Sequence, residues 1–215
     1  MDEHGIQAVA FDVDGTLIQA TMWPLIHGFF GFSVKEDAHL LELYHSGQLS
    51  YREWMQVFTD FYRTSPHRRE EIEALMTKFA FVDSAQEVAR TLSSRYELAV
   101  ISSSLRNYVS RVAESLSVPH VYAFTSFTYT DDGRFDSIAF STNGNELEAK
   151  VQALKDLAAK LNIAPEEIAF VGDSRNDLEA FRLTKHGILV GEGNEELHAA
   201  SWKQVTSLSE LLTIL

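Results

Sequence analysis

Four short segments of this chain carry side chains that could act together: Asp12-Val13-Asp14-Gly15-Thr16, Ser102, Lys150 and Gly172-Asp173-Ser174-Arg175-Asn176-Asp177. Carboxylates, an ammonium group and a hydroxyl are the parts of a phosphoryl-transfer site, where positioning and charge stabilisation carry most of the rate. Three of the segments follow apolar runs: Ala8-Val9-Ala10-Phe11 before Asp12, Leu98-Ala99-Val100-Ile101 before Ser102, and Ile168-Ala169-Phe170-Val171 before Gly172. Short runs of this kind read as buried strands. In an open parallel α/β sheet, ligands bind beyond the carboxyl ends of the strands. The pattern therefore predicts that distant segments meet at one sheet edge.

The remaining texture supplies the elements that must position them. After a strand at 6–11, residues 17–81 carry helical patterns at 37–45, 50–62 and 66–79, with Ser50 and Glu53 spaced as a capping box. Asp83-Ser84 can cap a helix running to about Arg95. An α/β alternation follows: a strand at 97–101, a helix at 104–116 and a strand at 121–127. A hairpin is expected around Asp132-Gly133, between 124–129 and 135–140, at the periphery. Helical spacing returns at 146–161, a turn at 164–167 leads to the strand at 168–171, and a helix, a strand at 187–190 and an αβα tail complete the chain. The expected fold is a doubly wound parallel sheet in a Rossmann-like three-layer sandwich. Residues 1–16 and 82–215 would form its core, and 17–81 a helical cap inserted after the first strand.

Composition narrows the function. With 215 residues, 45% of them hydrophobic, the chain can bury a substantial core. A formal charge of −13 disfavours nucleic acid and anionic membranes as partners, because the basic footprint they require is missing. The absence of cysteine excludes thiol catalysis, disulfides and cysteine-ligated zinc. The first residues lack the basic start and apolar stretch of a signal peptide, and no run is long enough to span a membrane, so a cytoplasmic protein is expected. Asp-Val-Asp-Gly does not open a calcium loop, since Leu17 and Trp23 stand where that loop needs glycine and an acid.

The ordered set of motifs resembles the haloacid dehalogenase superfamily, on its phosphatase side and similar to the phosphoserine-phosphatase branch. The resemblance covers nearly the whole chain, and the separation of Lys150 from Asp173 (173 − 150 = 23 residues) is similar to that branch. It implies that Asp12 is a nucleophile forming an aspartyl phosphate and that Asp14 is general acid and base. It also implies Mg²⁺ held by Asp12, the backbone carbonyl of Asp14 and Asp173. Lys150, the Ser102 hydroxyl, the backbone N–H of Ser103 and Asn176 would meet the phosphoryl oxygens, while Asp177 orients Lys150 or a metal-bound water. The implied activity is hydrolysis of a small phosphate ester. Transfer to a second hydroxyl, as in a phosphotransferase or phosphomutase, and a non-catalytic phospho-acceptor role stay open.

Substrate choice would lie in the aromatic-rich insertion, with Thr21, Trp23, His27 and Phe30 nearest the catalytic loop. His27, His39, His45 and His67 lack zinc-ligand spacing and read as surface or capping residues. Arg106 follows Ser102 closely enough to reach an anion or to lie on a solvated face. Phosphoserine phosphatases resembling this chain meet the substrate amine with a Glu nine residues after the nucleophile. Here that place holds Thr21, and Phe58 stands near the place of the Arg that meets the carboxylate. The expected substrate is therefore an uncharged or aromatic phosphate ester rather than phosphoserine.

Overall fold

The run ahead of Asp12 forms β1 (Ala8–Phe11), and all of its residues are buried because both sheet faces are covered. In a computed structural model that describes residues 5–141 and 146–215, four helices follow: α1 (Met22–Phe30), α2 (Val34–His45), α3 (Tyr51–Tyr62) and α4 (Arg69–Leu75). Residues 1–4, read above for a leader signal, lie outside the described residues. The chain continues through α5 (Ala85–Leu92), β2 (Glu97–Leu105), α6 (Arg106–Ser115), β3 (His120–Tyr129), β4 (Phe135–Phe140) and α7 (Glu146–Leu161). It ends in β5 (Ile168–Gly172), α8 (Leu178–Thr184), β6 (Gly187–Val190), α9 (Glu195–Ala200), β7 (Lys203–Val205) and α10 (Leu211–Ile214).

The strands form one sheet in the order β4-β3-β2-β1-β5-β6-β7. All neighbours are parallel except the β3–β4 pair. Alternation along β1 sends Val9 and Phe11 into one core and Ala8 and Ala10 into the other. That second face is lined by alanines, Ala8, Ala10 and Ala99, and it receives Ala149, Ala153 and Leu157 of α7. Small residues on both sides let helix and sheet approach closely, which brings the middle of α7 within reach of the end of β1.

The helical run differs from the predicted pattern in instructive ways. A first helix, α1, was not among the expected ones; Pro24 in its first turn and Gly31 at its C-terminal end, with φ 82°, are the signals that mark it. The Ser50–Glu53 capping box forms as expected. The helix expected at 66–79 shrinks to α4, because the chain before it forms a bridge between Arg68 and Arg134 and the chain after Leu75 turns. Ser84 precedes α5 at φ 68° and makes no side-chain cap bond. Strand β2 does not stop at Ile101 but continues to Leu105, with a register shift against β3 between Ser102 and Leu105.

The hairpin expected at the periphery is at the sheet edge in position but not in packing. Phe127 and Phe135 meet the ring of Tyr62 on α3 at 6.2 and 5.4 Å, and Arg63 donates to the carbonyl of Asp136 at 2.5 Å. The β3–β4 ribbon therefore carries the helices from beneath. At its other end the helical run is tied by Gln19 N–H to Ala80 O (3.1 Å) and Val82 N–H to Leu17 O (3.0 Å), so its entering and leaving chains lie side by side.

Phe30 sits at the centre of this packing, 8% exposed, stacked on Tyr62 at 4.0 Å and edge-on to Phe135 at 5.7 Å. Phe30→Ala should lower stability by about 3–5 kcal/mol, read from urea unfolding. A loss under about 1 kcal/mol would mean that the ring is not part of the core.

Candidate active site

Asp12 stands at the carboxyl end of β1, its N–H bonded to Val171 O of the neighbouring β5 at 2.8 Å. Beyond it the chain folds tightly back, with Leu17 and Ile18 N–H groups both on Val13 O. Gly15 makes this turn at φ 82°, and a Cβ there would lie 2.3 Å from Asp173 Oδ2. Glycine is thus required twice over, by backbone conformation and by the approach of Asp173. Thr16 Oγ1 donates to Asp173 Oδ1 at 3.0 Å and joins the two loops. A Cβ at Gly172 would lie 2.4 Å from Asp177 Cγ, so the second loop has the same constraint.

Lys150 rises from α7 with no exposed surface and donates to three acceptors. These are Asp12 Oδ2 at 3.1 Å, Asp177 Oδ1 at 2.5 Å and Asn176 Oδ1 at 2.7 Å. Its ammonium has three protons, and the site uses each. The other oxygen of Asp177 accepts the N–H groups of Asp173 (3.0 Å) and Ser174 (3.1 Å). Ser102 is buried at the same edge, with its Oγ accepting Ser104 N–H at 3.2 Å, and Ser103 lines the cleft beside it.

Burial raises the Asp12 carboxyl well above the usual range; Lys150 opposes this, and Asp177 and Asp173 add to it. Burial likewise lifts Asp173 to about 6, with Asp177 adding to the rise. Asp14 is raised by desolvation, against which the Tyr108 hydroxyl donates to its Oδ1 at 2.9 Å. Desolvation pulls Lys150 down, but Asp12 and Asp177 outweigh it and hold its pKa above the usual lysine range. The ammonium is therefore permanent. Four carboxylates face one lysine, and the excess negative charge suits a cation.

Asp12, Asp173 and Asp177 each offer an oxygen, all within 4.8 Å of one another. The side chain of the third acid expected at the metal, Asp14, is turned to Tyr108; the expectation for that residue was its backbone carbonyl. Since Asp177 already serves Lys150 and two backbone N–H groups, Asp12 and Asp173 have the freer oxygens. Hard oxygen donors in this number fit a hard divalent ion.

The cleft beyond these groups has a volume of about 700 Å³. Thr21 and Trp23 line it, whereas Phe30 does not: its ring is committed to the aromatic core. Arg106 is exposed on α6, as the solvated-face alternative has it, and its guanidinium donates to Ala123 O at 2.6 Å. His27, read as a surface or capping residue, is buried. Its Nδ1 pairs with the Tyr62 hydroxyl and its Nε2 lies 3.5 Å from Asp37 Oδ1. Tyr108 and Asp37 are site residues that sequence reading missed. Asp37 sits in a polar first turn after Ser33, a pattern that marks a helix start and says nothing of a cleft.

Residues 9–182 match the family of haloacid dehalogenase-like hydrolases, and the chain belongs to that family. The phosphoserine phosphatase of Archaeoglobus fulgidus is 26% identical over 172 residues, covering 79% of this chain and 48% of that protein, so the chain spans about half the length of that relative. A phosphoglycolate phosphatase of the same organism is 43% identical over 49 residues, 23% of this chain and 22% of its own. A substrate-bound phosphoserine phosphatase complex shares the fold with a TM-score of 0.81 at 20% identity, covering 98% of both chains. A hydrolase of the same family from Salmonella enterica serovar Typhi superposes with a TM-score of 0.81 at 23% identity, covering 98% of this chain and 72% of that one.

Lys150→Met would leave Asp12 and Asp177 buried without a cation, which should cost about 3–5 kcal/mol at pH 7. A carboxyl raised in the folded state contributes stability below its unfolded pKa and loses it as pH rises through the folded value. The deficit relative to wild type should therefore shrink towards pH 5, as urea unfolding at the two pH values would show. A deficit independent of pH would contradict the electrostatic account.

Proposed function

We propose that the chain is a phosphomonoesterase acting on a small organic phosphate through Asp12. The observation that carries this reading is the meeting of Asp12 with Lys150 at 3.1 Å beside Asp14, Ser102 and Asp173. An Asp12 oxygen attacks phosphorus as the ester oxygen leaves, and Asp14, raised by burial, gives that oxygen its proton. Asp14 then takes a proton from water as the water attacks the aspartyl phosphate, releasing inorganic phosphate and restoring Asp12. Lys150, Ser102, the Ser103 N–H and Asn176 stabilise the phosphoryl oxygens. Asp177 holds Lys150 in line.

Asp12, Asp173 and the Asp14 carbonyl would hold the metal, and Mg²⁺ is the ion that such oxygen donors favour. When bound it supplies positive charge for the phosphoryl oxygens and relieves repulsion among the acids. Helices α1–α4 act as the cap, with the paired chains at Leu17–Gln19 and Ala80–Val82 as its attachment. The small-ester partner and a cytoplasmic setting belong to this reading; among the described residues no helix is long and apolar enough to cross a membrane.

Asp12→Asn should abolish turnover of 4-nitrophenyl phosphate and alkyl phosphates alike. Asp14→Asn should lose at least about tenfold more on an alkyl than on an aryl ester, since a good leaving group needs less help from an acid. Equal losses would remove Asp14 from the acid role. Phosphate-release assays with both esters decide the matter, and a full-length product balance of free phosphate separates hydrolysis from transfer to a second hydroxyl.

Chelation should abolish activity and Mg²⁺ restore it. The rise in Tm that Mg²⁺ produces should be largest above pH 7 and shrink as pH falls through about 6, because the raised Asp173 carboxyl must then give up a proton to bind metal. Undiminished stabilisation at pH 5 would argue against Asp173 as a ligand.

A further inference from the structure

The wall that α1–α3 present to the cleft is apolar and aromatic, with Trp23, Leu41, Tyr44, Trp54, Met55 and Phe58 among its residues. Tyr44 and Trp54 stack at 4.8 Å, and Phe58 stacks on His27 at 4.2 Å. One carboxylate stands in this wall, Asp37, with 26% of its side chain exposed. Among the described residues its one ion-pair partner is His27, and burial pulls that imidazole down to about 4. At neutral pH His27 is therefore uncharged and leaves the negative charge of Asp37 uncancelled. The imidazole is itself held by Tyr62 at one ring nitrogen, and its other nitrogen faces Asp37 at 3.5 Å. Among the described residues no Lys or Arg from the helical wall lines the cleft; Arg175, which does, belongs to the catalytic loop.

A half-buried carboxylate beside aromatic faces is the combination that binds organic cations: the charge attracts at short range, and the rings accept an ammonium group without demanding hydrogen bonds. We infer that the distal part of the cleft recognises a positively charged organic group, and that the substrate is a phosphate ester of an ammonium alcohol bearing no carboxylate. This rests on the phosphatase reading for the phosphate end. It also revises the expectation of an uncharged ester. Thr21 indeed offers no charge, but Asp37 brings one from α2, and the lack of a basic residue in the helical wall leaves a substrate carboxylate facing Asp37 unpaired. On this reading phosphoserine is disfavoured because its carboxylate would share the cleft with Asp37.

Phosphocholine and 3,3-dimethylbutyl phosphate have the same shape and differ in the quaternary charge. Wild-type kcat/KM should favour phosphocholine by at least about tenfold, and Asp37→Asn should bring the ratio close to one. A ratio near one in the wild type, with 4-nitrophenyl phosphate still hydrolysed, overturns the cation site and leaves the phosphatase reading standing. If none of the three esters is hydrolysed, the phosphatase reading falls and binding decides the cation site. Tetramethylammonium should quench tryptophan fluorescence, through Trp23 and Trp54, in wild type and much less in Asp37→Asn. Absence of quenching, or equal quenching in both proteins, overturns the inference.

Discussion

A buried ammonium group holds the site together. Lys150 has no contact with solvent, and the desolvation of its charge is offset by Asp12, Asp177 and Asn176 together. Those three acceptors come from two loops that follow neighbouring parallel strands, while the lysine comes from the helix laid across them. The arrangement closes when β1 and β5 are adjacent and α7 lies close to the sheet. Alanines at 8, 10, 149 and 153 provide that closeness, and a larger side chain at any of them would move the ammonium away from its acceptors. Sheet order, helix packing and the protonation state of Asp12 are thus parts of one constraint.

The same constraint shapes the loops. Asp173 and Asp177 press against Gly15 and Gly172 at distances that leave no room for a Cβ. Burial is the first cause that raises Asp12, Asp14 and Asp173 alike. A dry acid-rich site has two uses for a proton or a metal: either neutralises charge that water cannot reach. Asp14 stays apart from this competition because its side chain faces Tyr108 instead of the Asp173 loop.

Much of this was legible in the sequence because the informative features are local. Apolar runs ending in Asp12 and Gly172 become β1 and β5 nearly as read, and Ser50–Glu53 forms its capping box. The carboxylates and Lys150 could be recognised by type and order. What escaped depends on contacts between distant residues. Ser102 lies inside β2 rather than after it, since pairing with β3 extends the strand past the apolar run. Phe30 and Trp23 both follow the loop after Asp12 closely in sequence, and nothing in their spacing tells that one turns to Tyr62 and the other to the cleft. Tyr108 and Asp37 are ordinary helix residues until the fold aims them.

The net charge of −13 bears on which esters can approach. A field of that sign repels a dianionic phosphate at distances beyond the reach of Lys150, although salt limits the effect to about 8–10 Å from the surface. An ester carrying its own organic cation meets less of this opposition, because its overall charge is smaller and its positive end is drawn towards the acid-rich surface. On the proposed reading the two ends would then separate inside the cleft: phosphate towards Lys150 and the acids beside it, cation towards Asp37 and the aromatic wall. A substrate carboxylate would undo the advantage at both stages, adding negative charge during approach and placing it beside Asp37 on arrival. The global charge and the local wall would therefore favour the same proposed chemistry.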